Sequence, residues 1–149
     1  MREIIFRGKQ VDGGEWISGD LRHWDNGKVG IHNDALRCTL VVIPETVGQY
    51  TGLKDRNGRR IFEGDIIQYA ERCEYDCYWE SIEHPEEYEG IDTQSWLARS
   101  AIEWCGENDY PAFDIEPHDF ETNGLSWIIN DDFVIEVIGN IHDNPEILK

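Results

Sequence analysis

The stretch from Val47 to Tyr69, VGQYTGLKDRNGRRIFEGDIIQY, constrains this chain more than any other. Its polar middle, Lys54-Asp55-Arg56-Asn57-Gly58-Arg59, carries Asn-Gly, the dipeptide best able to adopt the positive φ angles of a tight hairpin turn. Tyr50 and Leu53 precede it, and Ile61, Phe62, Ile66 and Ile67 follow. The pattern predicts strand, turn, strand, with an exposed tip at Asn57-Gly58, a kink or bulge at Gly64-Asp65 and Ile66-Ile67 in a buried strand. The stretch contains no catalytic signature.

The remainder has the same texture. Glu3 to Arg7 alternates, Val11-Asp12-Gly13-Gly14 is a turn, and Glu15 to Gly19 completes a first hairpin with Phe6 and Trp16 as candidates for one buried face. Asp25-Asn26-Gly27-Lys28 is a second turn. Leu36 to Ile43, LRCTLVVI, reads as an interior strand stopped by Pro44. The strand after Asn57-Gly58 is expected to run through Ala70 toward Trp79, and Glu80 to Asp92 to form an acidic surface loop. Gln94 to Arg99 reads as one helical turn. Ser100 to Cys105 alternates, with Ile102 and Trp104 on one face. Pro111 to Ile115 and Leu125 to Ile129 read as short extended pieces, Phe133 to Ile138 as a strand, and Gly139 to Pro145 as closing turns. Many short strands, frequent turns and little helix predict a mostly-β fold of hairpins.

Charge separates function classes. The net charge is -18, and the segment from Glu71 to Glu121 holds sixteen acidic and two basic residues, so -14 of the total falls there. Such acidity repels phosphate, which argues against direct nucleic-acid binding. Six Trp, six Tyr and five Phe supply core material enough to set a disordered reading aside. The opening MREIIFRGKQ carries neither a signal-peptide core nor a membrane span, so a cytoplasmic protein is expected, with Cys38, Cys73, Cys77 and Cys105 as free thiols.

Three blocks resemble the YopX-like family of phage and prophage proteins: Arg2 to Gly8 with Trp16 and Gly19; Pro44 to Asp55 continuing through Glu63-Gly64-Asp65-Ile66; and Glu136 to Ile141 with Asn144-Pro145-Glu146. The resemblance implies one YopX-like unit over residues 1–149. Residues 1–50 would supply N-terminal β hairpins, and residues 51–149 a small SH3-type barrel with an acidic insertion at about 71–99. It also implies a phage-encoded product acting inside a bacterial host cell. It carries no reaction with it. His142-Asp143 stands where the family tends to have an aromatic residue and Glu, and the acidic segment with Cys73 and Cys77 matches no family block.

Chemistry-bearing residues are sparse. Cys73 and Cys77, with Cys38, Cys105 or His84, would suit zinc only on a helical turn, because strand positions four apart lie about 13 Å from each other. His118-Asp119 and His142-Asp143 lack a spaced nucleophile or metal motif and read as surface turns. Gly52, Gly58 and Gly64 precede no helix N-terminus, so they read as hairpin glycines and not a phosphate loop. Thr46, Gln49, Thr51 and Asn140 are polar residues among apolar ones, suited to a small ligand or to buried backbone groups where strands bend. No metal, cofactor or catalytic residue is expected.

The expectation is a non-enzymatic phage accessory protein, a protein-interaction module that forms a homo-oligomer through Trp79 or Trp96 and has a host protein as a further partner. The alternative is an acidic decoy, a DNA mimic that occupies a host nucleic-acid-binding enzyme. A metal-dependent enzyme is the third reading.

Overall fold

The computed structural model describes residues 1–70, 97–105, 112–116, 123–130 and 133–149. In chain order the strands are β1 (Phe6–Lys9), β2 (Trp16–His23), β3 (Val29–Asn33), β4 (Cys38–Val42), β5 (Gly48–Lys54), β6 (Arg60–Phe62), β7 (Asp65–Ala70), β8 (Leu97–Trp104), β9 (Phe113–Glu116) and β10 (Val134–Asn140), with one short helix, α1 (Gly124–Asn130), before β10. They form a six-stranded sheet in the order β4-β3-β2-β1-β5-β6 and a four-stranded sheet in the order β10-β7-β8-β9. The fold is mostly β, as the turn spacing predicts. The chain divides into two compact units, Met1–Lys54 with Arg60–Gly64, and Asp55–Arg59 with Asp65–Lys149.

In the first unit, β1 to β4 form a meander that closes on itself. Val11 N–H donates to Val41 C=O at 3.1 Å and Ile43 N–H to Lys9 C=O at 2.8 Å, so the end of β1 meets the end of β4. Closure removes edge that would otherwise be open to other chains. Inside lie Ile17, Val29, Ile31 and Val42, with Phe6, Leu21, Leu40 and Val47 packed against them. Register corrects the first hairpin. Phe6 pairs with Gly19 and Gly8 with Ile17, whereas Trp16 pairs with Lys9. Directly opposed residues share a face, so Phe6 points into this core and Trp16 away from it. β4, expected as an interior strand, ends the sheet order, and among the described residues its outer edge is bonded only at Val41 to Ile43, by Lys9 to Val11 at the end of β1.

Both Asn-Gly turns have one geometry. Gly58 N–H donates to Asp55 C=O at 3.0 Å and Asp55 N–H to Arg59 C=O at 2.8 Å; Gly27 N–H donates to Trp24 C=O at 3.0 Å and Trp24 N–H to Lys28 C=O at 3.1 Å. Gly58 (φ 78°) and Gly27 (φ 80°) take positive φ while the asparagines do not. This is the three-residue loop in which glycine forms a bulge, not the two-residue turn that needs two positive φ values. Asn57 and Gly58 are exposed, as expected for a tip. Nothing would lie within 4 Å of a Cβ at Gly58. Replacing Gly58 by Val should therefore cost only the left-handed conformation, about 1–2 kcal/mol. A lowered urea midpoint is the expected outcome, and a wild-type midpoint would contradict this turn.

The second unit centres on β7, where Ile66 and Ile67 are both fully buried, as predicted. They face opposite sides of the sheet, so both sides are covered. The described strands form a four-stranded antiparallel sheet; the SH3-type barrel implied for this half is not seen among them, and the closure that does occur lies in the first unit. The outer edge of β10 receives residues Asp55 to Asn57. Arg56 N–H donates to Ile135 C=O at 2.9 Å, and the Asp55 carboxylate accepts from Val137 N–H at 3.1 Å.

Two readings are corrected here and a third is refined. Leu97, Ala98 and Arg99 belong to β8 and not to a helical turn. Trp104 shares a face with Ile102 but is 49% exposed where Ile102 is fully buried. β7 begins at Asp65, level with Ile102, so it does not reach alongside position 104. Leu125 to Ile129 is helical and not extended. Leu125 and Ile128 are buried while Ser126 and Ile129 are exposed, a period near three. Asn123 Oδ1 accepts from Ser126 N–H at 2.6 Å and Asp114 Oδ1 from Leu125 N–H at 2.9 Å, which satisfies the first turn.

Candidate functional site

The described residues expected to bind are divided between the two units. The Thr46 hydroxyl donates to Ile43 C=O at 2.7 Å and accepts from Lys9 N–H at 2.9 Å. The Thr51 hydroxyl donates to Ile61 C=O at 2.8 Å and accepts from Leu53 N–H at 3.2 Å. Gln49 lies half-buried on β5, its backbone accepting from Glu63 N–H at 2.9 Å. These three belong to the first unit. Asn140 belongs to the second, where its Oδ1 accepts from His142 N–H at 3.0 Å and Asp143 N–H at 2.9 Å, and its amide donates to Asp143 at 3.1 Å. Trp79 and Trp96 lie outside the described residues, as do Cys73, Cys77, His84 and His118-Asp119. Each threonine and Asn140 has backbone partners, so their polarity organises turns and strand ends.

The turn around Asn140 has a packing reason of its own. A Cβ at Gly139 would sit 2.7 Å from Asn144 Oδ1 and 2.9 Å from Ile147 Cδ1. His142 is exposed on the same turn. No group of three or more His, Cys, Asp or Glu among the described residues is placed to hold a metal ion.

Arg7 is the charged residue most enclosed in the first unit, at 9% exposure. Its guanidinium lies 4.8 Å from the Trp16 ring centroid and 4.9 Å from that of Phe62, and donates to Glu63 C=O at 3.4 Å. A guanidinium is weakly hydrated and stacks on aromatic faces, which makes it the cation that can hold such a place. The stack explains where Trp16 goes once register turns it away from the core.

The outer face of the first unit is different in kind. Strand register aligns Val11, Val41, Gly30 and Arg22 in one row across the face, and Thr39, His32 and Asp20 in the next. The Trp24 ring lies over Gly30, where a Cβ would come within 2.5–2.7 Å of two ring carbons. Trp24 is 41% exposed, Val11 57%, Val41 39% and Ile43 36%. His32 sits beside them with Nδ1 3.0 Å from Thr39 Oγ1 and Nε2 3.5 Å from Asp34. Four apolar side chains thus share a face that water covers. The segment LRCTLVVI holds the signal: apolar residues stand at both parities, so a strand with one covered face must expose some of them.

Charge divides with the units. The first unit contains eight basic and eight acidic residues, net 0; the second contains five basic and twenty-three acidic residues, net -18. The neutral unit carries the apolar face, and the other carries the whole of the excess.

The geometry agrees with what comparison finds. A family model described as YopX protein matches residues 5–149. The crystal structure of protein EF1440 from Enterococcus faecalis is similar, with a TM-score of 0.53, 22% identity and 100% of both chains covered. At that identity the likeness concerns the fold. No curated protein matches the chain. No helix among the described residues is long and apolar enough to cross a membrane.

Proposed function

This chain belongs to the YopX family, whose model spans nearly all of it, and from that premise we propose a non-enzymatic accessory protein of phage or prophage origin. It acts in the host cytoplasm by binding protein chains, a second copy of itself first among them. The observation that carries this is the partition of charge, net 0 against -18. Two bodies of like charge repel, so we place self-contact in the unit with no net charge, where apolar area can leave water at about 25 cal/mol per Å². It is not placed at Trp79 or Trp96 of the acidic unit, where the sequence reading puts it. Sedimentation at micromolar concentration in moderate salt tests it. A species heavier than the 17.3 kDa chain is expected; a single species at that mass would overturn the reading.

The same partition favours a second reading for the acidic unit, a decoy that fills a channel built for nucleic-acid phosphate. Capture of a nucleic-acid enzyme from host lysate, released by added duplex DNA and by salt, would support it. Capture that resists both would oppose it.

A further inference from the structure

We propose that the second copy docks face to face on the outer face of the first unit at Val11, Val41 and Trp24, related by a two-fold axis; this rests on the self-association reading above. Three observations select a copy of this chain as the occupant. The row belongs to the unit of net charge 0, so bringing two of them together meets no net repulsion from the docking units themselves. Val11, Val41 and Trp24 make this face apolar and exposed, with the Trp24 ring over Gly30, and the row's one charge, Arg22, finds Asp20 across the axis, so two faces can meet without burying an unpaired charge.

The third observation is charge order. Asp20 and Arg22 are exposed on the same face of β2, two residues apart, Arg22 at the end of this row and Asp20 at the end of the next. A two-fold contact is self-complementary, so each surface must match its own inverted image. Opposite charges at adjacent positions meet that condition: an axis running between the two rows places Asp20 of one copy against Arg22 of the other, twice over, and sets the Val11–Val41–Arg22 row of each copy on the Thr39–His32–Asp20 row of the other. A partner of strongly basic chemistry would be met by the second unit, which holds the acidic excess, and not by this face.

The test is sedimentation of single-residue variants. Val11→Asp and Val41→Asp, each placing a carboxylate in the row, should weaken association about thirtyfold or more, the size of a central interface residue. Trp104→Ser, at an exposed aromatic residue of the second unit, should leave association unchanged. Asp20→Arg and Arg22→Glu should each associate more weakly with themselves, while an equimolar mixture of the two should recover association, since each restores the other's opposite charge. Circular dichroism on every variant separates lost contact from lost fold, and Val11, in a turn outside the strands, is the position least able to disturb folding.

The outcomes separate cleanly. Oligomers that survive Val11→Asp and Val41→Asp would overturn this surface and leave self-association standing. A wild-type chain that is monomeric throughout would overturn both. Failure of the charge-variant mixture to recover, while the row variants do dissociate, would overturn the two-fold arrangement.

Discussion

Asp55→Ala is expected to cost about 3 kcal/mol of stability, since one carboxylate satisfies three backbone amides and such charge-assisted bonds are each worth about 1.5–3 kcal/mol. Oδ1 accepts from Asn57 N–H at 2.9 Å and Arg59 N–H at 2.8 Å, and Oδ2 accepts from Val137 N–H at 3.1 Å. The three do not add in full. Asn57 and Arg59 are exposed, and water can take their amides when the carboxylate goes; Val137 is buried and has no such relief. Asp55→Asn should cost less, because one oxygen remains for the tip while its NH2 group is turned against Val137 N–H. The expected result is a lower urea midpoint at unchanged slope, together with faster hydrogen exchange at Val137. Unaltered exchange at Val137 would show that the tip does not close the edge of β10.

Gly19→Ala is the second large effect, about 3 kcal/mol, because overpacking against backbone leaves no side chain to yield. A Cβ at Gly19 would overlap the carbonyl oxygen of His32 and lie 2.9 Å from its carbonyl carbon. Neither strand can step aside: Gly19 pairs with Phe6 on β1, and its neighbour Asp20 pairs with His32 on β3. Gly13→Ala is the contrasting control. Its φ is 85° and nothing would lie within 4 Å of its Cβ, so only a conformational cost of about 1–2 kcal/mol applies. Equal losses at the two positions, read from urea midpoints, would contradict the close approach of β2 and β3.

The central hairpin was legible because its information is local. Asn57-Gly58 names its own turn, and apolar residues on either side name its strands. Asp55 reads as an ordinary turn residue, since nothing near it in the chain announces a partner at Val137. Helix α1 was missed for the same reason. Leu-Ser-Trp-Ile-Ile suits a strand by propensity, and one of its two N-terminal partners, Asp114, comes from β9. Alternation within each strand puts Phe6 and Trp16 on one face, and only the register between the strands separates them. Trp104 shows the converse: its face was read correctly, and its exposure follows from where β7 begins. For the binding candidates, composition found polar residues among apolar ones but could not show that Thr46, Thr51 and Asn140 already have backbone partners. The apolar outer face was present in LRCTLVVI, yet only closure of the meander reveals which parity faces water.

The sign of the salt dependence tests the central claim most directly. If self-contact is made by the unit of net charge 0 while -18 resides on the other, salt should screen the repulsion between copies by more than it weakens the two rim pairs of Asp20 with Arg22. Sedimentation equilibrium across a series from low to high sodium chloride should give an association constant that rises with salt. An association constant that falls with salt would mean that ion pairs dominate the contact and outweigh the repulsion between the acidic units, and would contradict the account.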